Sequence, residues 1–227
     1  GSGSGSSSGI VIKDEKGKVL GKADPDTGIV ELPITPVPAA SSSRQAEELE
    51  ITIPKNTTVK VEIPVRNVTP GTVVAIVHAD GTEEIVRTSI VTKNGVALEL
   101  TSSATVKVYD NSKFFSDVPA ANWASDAVAF VSSRELFNGT GANTFSPNAP
   151  MTRQMLMTVL ARLDGTDTSG NAYAKGMEWA IRNGVSNGSD PEGKITREQL
   201  ATMLWRYAGS PSVSGRMTGF ADADQIS

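Results

Sequence analysis

The sequence contains no cysteine, which removes disulfides, thiol nucleophiles and cysteine-based metal sites. It contains one histidine, His78, so a histidine cluster for zinc is excluded and a catalytic triad could be built around no other imidazole. Excess positive charge is missing too: 21 Lys and Arg stand against 25 Asp and Glu, a net charge of −4. That balance argues against nucleic acid or an anionic membrane as partner through bulk electrostatics, and leaves an anionic ligand to be held by a local set of donors. No apolar run approaches the roughly 20 residues that a membrane span needs, and the start has no signal-peptide pattern. Membrane insertion is therefore not expected. Nor is a cofactor.

What is there begins with GSGSGSSSG, a flexible linker over residues 1–9. Residues 10–32 alternate β-type runs with turn pairs (Lys16-Gly17, Asp24-Pro25-Asp26, Thr27-Gly28) and read as a short β-hairpin, marginal on its own. Residues 33–48, PITPVPAASSSRQAEE, form a Pro/Ser linker with no core-forming pattern. From 49 to 112 the runs LEITI, TVKVEIPV, TVVAIVHA, EEIVRTSIVT, VALEL and ATVKVYD are β-branched and partly alternating, with Asp80-Gly81 and Asn94-Gly95 as hairpin signals. Strands at this spacing fit a compact antiparallel sandwich or barrel, and the expectation is an antiparallel β-sandwich-like domain. His78 falls at a strand end beside a turn, and Glu83-Glu84 reads as strand-flanking surface charge rather than a glycosidase pair. Asn56, Asn67, Asn138 and Asn187, each opening an Asn-x-Ser/Thr tripeptide, read as turn residues.

At Lys113 the period changes to that of helices. The first helix carries Ala127, Val128 and Val131 on one face with Trp123 at its entry, and the second carries Leu156, Val159, Leu160 and Leu163. A second helix-turn-helix follows, with Leu200, Met203, Leu204 and Tyr207 as its stripe. MTRQMLMTVLARLDG returns as ITREQLATMLWRYAG at one constant offset, pairing Thr152 with Thr196, Arg153 with Arg197, Arg162 with Arg206 and Gly165 with Gly209. Trp179 and Trp205, inside helical runs, read as packing; Trp123, at a loop-helix junction, could equally be core or ligand platform. GFADADQIS echoes FFSDVP, Phe220 and Asp222 standing for Phe115 and Asp117, so a third unit begins before the sequence stops. The helical domain is expected to be incomplete.

Thr152 and Thr196 are good N-caps. Thr196 forms a capping box with Gln199, whereas Thr152 faces Met155 and should not. Arg162 and Arg206 in the last turns obey the helix dipole, but Arg153 and Arg197 in the first turns oppose it, at a cost of about 0.3–1 kcal/mol each. Two explanations stand. The guanidinium and the helix-end N–H groups hold a carboxylate or phosphate, or the arginines pair with acidic residues of a neighbouring repeat, Asp117 and Asp222 among them.

Phe115-Ser116-Asp117-Val118, Trp123-Ala124, Asn138-Gly139, Phe145-Ser146-Pro147 and Thr152-Arg153-Gln154, with Asn187-Gly188 and Thr196-Arg197-Glu198 in the second copy, together resemble the S-layer homology (SLH) family. The resemblance covers about half the chain, with repeat 1 at 113–166, repeat 2 at 167–210 and a truncated third at 211–227. It implies a helical-repeat domain, non-enzymatic, that anchors a secreted Gram-positive protein at the cell wall or S-layer. The implied partner is secondary cell-wall polysaccharide bearing a pyruvylated amino sugar, with Asp117, Trp123, Arg153, Arg197 and Asp222 as carbohydrate-binding residues. Self-association through the incomplete third repeat is open to such a chain. Departures are plain: DGTDTSGNAY replaces the repeat 2 opening, Tyr173 stands near the tryptophan's place, and Glu135 replaces the glycine that Gly184 keeps. A scaffold or protein-interaction unit that no longer binds glycan is the competing reading.

Overall fold

The alternation in LEIT becomes β5 (Leu49–Thr52), with Leu49 and Ile51 buried and Glu50 and Thr52 exposed; a strand with one wet face has this period. The computed structural model describes residues 9–23, 30–31, 35–212 and 221. The expected turns at 24–29, the opening linker and the third-repeat residues Phe220 and Asp222 lie outside them. The chain divides into two compact units, residues 1–147 and 148–227.

In the first unit, β1 (Ile10–Lys13), β2 (Val19–Ala23), β3 (Val30–Glu31), β7 (Thr72–Val77), β8 (Glu83–Ile85) and β11 (Ala104–Asp110) join β5 in one sheet, ordered β3-β2-β1-β5-β11-β7-β8. All its pairings are antiparallel. A second sheet runs β4 (Val37–Pro38), β6 (Val59–Arg66), β10 (Gly95–Leu100) and β9 (Ile90–Val91), with only β4 to β6 parallel. Ile10, Ile12, Leu49, Ile51, Val106 and Val108 of the first sheet meet Val61, Ile63, Val96 and Leu98 of the second in one core. This is the β-sandwich that the pattern predicts.

Two expected boundaries are not seen as such. The hairpin at 10–32 is no separate piece: β1 pairs with β5 through Ile12 and Ile51, and both side chains are core. The Pro/Ser stretch at 33–48 is also built in. Its prolines disfavour helix ahead of Ala39 but not extended backbone, a short 3-10 turn follows at Ser43–Gln45, and the neighbouring N–H groups are used: Ala39 N donates to Arg66 O (3.1 Å) and Ala40 N to Val108 O (3.3 Å). Ala40 and Ala46 then cover Val73, Ala75 and Tyr109 on the outer face of β7 and β11. The run EEIVRTSIVT likewise splits, because a turn in which Ser89 N donates to Val86 O (3.0 Å) carries the chain from β8 in one sheet to β9 in the other.

Helix α1 (Ser125–Ser133) belongs to the first unit and buries Val128, Ser132 and Ser133, while Ala127 is exposed, contrary to the expected stripe. The second unit holds α2 (Arg153–Leu163), α3 (Ala172–Arg182) and α4 (Arg197–Tyr207). Its core is Leu156, Met157, Leu160 and Ala161 of α2 against Trp179 and Ala180 of α3, with Val185 and Met203. Gly176 sets the α2–α3 approach: a Cβ there would lie 2.6 Å from Thr158 Cα. Leu204, expected in the stripe of α4, is 44% exposed, and Trp205 is no core residue but half-exposed, its indole N–H donating to Pro211 O (3.0 Å).

Candidate carbohydrate-binding site

Asp117 lies in the loop ahead of α1, where its two carboxylate oxygens accept from Phe145 N (2.9 Å) and Ser146 N (2.7 Å). These amide bonds hold its pKa below the ordinary carboxylate value. They also fix Ser146 in a left-handed conformation (φ 60°) and seat Phe145 edge-on against Phe115, ring centroids 5.3 Å apart. Asp117 is thus first a clasp on the Phe-Ser-Pro loop, with one lone-pair direction left on each oxygen. Trp123, 81% exposed, stands at the entry to α1, so its core reading does not hold.

In the second unit the two Thr-Arg segments meet. Thr152 bridges Lys194 in antiparallel fashion, and Ile195 N donates to Met151 O (2.9 Å). Both threonines cap: Thr152 Oγ1 accepts from Met155 N (3.3 Å) and Thr196 Oγ1 from Gln199 N (3.2 Å). The capping box of Thr196 is closed by Gln199 Oε1, as its sequence predicts. That of Thr152 is closed as well, contrary to expectation, because the Met155 thioether is long enough to reach Thr152 N (3.4 Å) and sulfur is a weak acceptor.

The amides at the start of α2 are not available to an anion. Arg153 N donates to Gly193 O (3.0 Å) and Gln154 N to Pro191 O (2.8 Å), so the repeat 2 turn caps them. What α2 offers is the guanidinium alone. Arg153 Nη2 makes a long hydrogen bond to Asn187 Oδ1 (3.5 Å), and its buried Nε has no partner among the described residues. Within this unit no described carboxylate pairs with Arg153 or with Arg197, which is exposed at the head of α4. Asn187 and the carbonyls of Pro191 and Gly193 are neighbours of the α2 start that the sequence reading missed. Asn187 was visible as a turn residue of the repeated Asn-Gly motif and not as a partner of Arg153, and main-chain carbonyls leave no signal in a side-chain pattern.

Of the five expected binding residues, Asp117 and Trp123 belong to the first unit and Arg153 and Arg197 to the second; Asp222 lies outside the described residues. Repeat 2 has no counterpart of the Asp117 clasp: Asp167 there accepts from Ser169 N (2.9 Å), Ser169 Oγ (2.9 Å) and Lys175 Nζ (3.2 Å), tying the loop to α3 instead. Among the described residues, no group of His, Asp or Glu is placed to hold a metal ion, and no helix is long and apolar enough to cross a membrane.

A repeated Thr-Arg helix start and an aspartate-clasped Phe-Ser-Pro loop mark a helical repeat. The chain carries two S-layer homology repeats, matching that domain family at residues 114–154 and 166–201. It is similar to an endoglucanase of Bacillus sp. (strain KSM-635), 30% identical over 47% of this chain and 13% of that protein. It is similar also to the S-layer protein sap of Bacillus anthracis, 27% identical over 50% of this chain and 16% of that one. The surface-layer 125 kDa protein of Lysinibacillus sphaericus is 34% identical over 40% of this chain and 10% of its own length. The chain thus spans only a small fraction of these relatives. No solved structure matches it significantly. The repeats make this a cell-surface protein with an anchoring region.

Proposed function

We propose that the repeats anchor their parent protein non-covalently and without enzymatic activity, by binding an acidic, pyruvylated secondary cell-wall polysaccharide. The observation that carries this reading is Arg153, a guanidinium held at a helix start against the dipole, with an amide oxygen at 3.5 Å and no described carboxylate of its own unit on it. Such a fork suits a sugar carboxylate. Arg197 repeats it at the head of α4, the exposed Trp123 suits stacking on a sugar face, and Asp117 holds the Phe-Ser-Pro loop. Asp222 is assigned to the third repeat on the same pattern. The capped amides of α2 favour one competing reading, a scaffold that no longer binds glycan.

The test is co-sedimentation of the chain with purified Gram-positive sacculi, before and after the secondary polysaccharide is stripped. Arg153→Ala, Arg197→Ala and Arg153→Lys are run beside the wild type, with circular dichroism reporting the fold. Losing a charged, bidentate contact should weaken binding by about 10- to 100-fold, from a charge-assisted bond of about 1.5–3 kcal/mol. Binding that survives stripping, or folded variants that bind as wild type, would leave the scaffold.

A further inference from the structure

The two repeats differ sharply where their first helices end. With Asn138-Gly139 laid on Asn187-Gly188, the stretch Ser132-Ser133-Arg134-Glu135 stands opposite Ile181-Arg182-Asn183-Gly184. In repeat 2 this stretch faces solvent, with Ile181 51% exposed and its three successors exposed as well. In repeat 1, Ser132 and Ser133 are buried and Arg134 is 0% exposed. The cover is the β module. Arg134 Nε donates to Ser89 O (2.8 Å), Nη1 to Pro70 O (3.2 Å) and Nη2 to Thr72 O (3.1 Å). From its own helix it gains Phe130 O (3.2 Å), the Ser133 hydroxyl (3.2 Å) and the Phe130 ring, 3.8 Å from guanidinium carbon to centroid.

Among the described residues those hydrogen-bond partners are four carbonyls and a hydroxyl, with no carboxylate. Burial pushes the arginine's pKa down to about 10, so it is still charged at neutral pH. A buried cation is tolerated only where its donors are met, and here carbonyls of the β6–β7 connection, the first residue of β7 and the β8–β9 connection converge on it at the negative end of α1. Two further contacts cross the same seam: Asn111 Nδ2 donates to Ser133 O (2.6 Å), and Glu135 pairs with Arg87 (3.7 Å). Repeat 2 has Asn183 and Gly184 where Arg134 and Glu135 stand.

We infer that Arg134 keys the opening helix of the first repeat onto the β module, so that α1 and the module open as one cooperative unit. The module is then part of the anchor rather than a spacer, and residues 111–113 are no hinge. This holds whether or not the repeats bind glycan. Native-state amide exchange of the whole chain tests it. In the wild type the α1 amides, such as Val128, which donates to Ala124 O (2.8 Å), should exchange through the same opening as β7 and β11, with the same denaturant dependence. Arg134→Met, of similar length and uncharged, should speed exchange in α1 by about tenfold or more relative to β11, since each buried carbonyl loses its donor. An α1 that opens independently in the wild type would overturn the inference without any variant, as would a folded Arg134→Met in which α1 and β11 still exchange together. Arg134→Lys, which keeps charge but not the fork, should fall between the two.

Discussion

Glu135→Gly should stabilise the protein even though it removes an ion pair. Glu135 adopts φ 58°, and the aligned Gly184 adopts φ 67°, so both repeats turn out of their first helix through the left-handed region. A side chain in that region costs about 1–2 kcal/mol. Against its relief stands the Arg87–Glu135 pair, 3.7 Å apart with side chains 30% and 51% exposed; a pair so wetted is worth about 0.2–0.5 kcal/mol. Glycine's extra freedom in the unfolded chain takes back about 0.5–1 kcal/mol. The balance is a gain of about 0.5 kcal/mol. Gly184→Ala runs the argument backwards with no pair involved and should lose about 1 kcal/mol. Urea denaturation measures both, amide exchange assigns each change to its own unit, and Arg87→Ala in each Glu135 background gives the coupling energy. A Glu135→Gly variant destabilised by more than about 1 kcal/mol would refute the reasoning, because the pair would then outweigh both its exposure and the strain.

Gly176→Ala should destabilise by about 1–2 kcal/mol: the helix gains up to about 1 kcal/mol of propensity, but the new methyl overpacks Thr158; a more stable variant in the melting curve would mean α2 and α3 part freely. Trp123→Ala should change stability by less than about 0.5 kcal/mol while weakening sacculus binding, whereas Trp179→Ala should lose about 3–5 kcal/mol; equal losses in urea titrations would contradict their different burial. Asp167 should titrate at about 2 rather than 3.8, held down first by the Ser169 amide, then by the Ser169 hydroxyl and Lys175. Its folded value is the lower one, so its stabilising contribution is present above the unfolded pKa and fades as pH falls from about 4 through 2; a carboxyl NMR titration with a midpoint near 4 would dismiss those bonds.

What the sequence made legible was period and punctuation. LEIT and VALEL alternate because one face of each strand is core, and the return of Thr-Arg at a fixed offset marked two helix starts that do fall at Arg153 and Arg197. What it hid was satisfied by main chain. PITPVPAA carries no apolar period, yet the backbone of Val37 to Ala40 pairs with both sheets, a use that side chains do not advertise. Arg134 carried no signal in the sequence; only the convergence of Pro70, Thr72 and Ser89 carbonyls, distant in sequence, makes its burial tolerable. Met155 closed a capping box reserved by rule for glutamate or glutamine, because a thioether in reach suffices.

The arginine that opposes its helix dipole shows where such reasoning is half right. A cation in the first turn is penalised by the partial positive charge of unmet amides. At α2 those amides are met by Gly193 and Pro191 carbonyls, whose oxygens bring negative partial charge to the same spot. The penalty on Arg153 is therefore smaller than its position suggests, and its presence needs less of a ligand to explain it. The same capping removes the backbone from any anion site at this helix. If a sugar carboxylate is held there, the guanidinium fork holds it, and lysine, a point charge without the fork, should substitute poorly. A helix-end amide site would tolerate that replacement, so Arg153→Lys separates recognition by side chain from recognition by backbone.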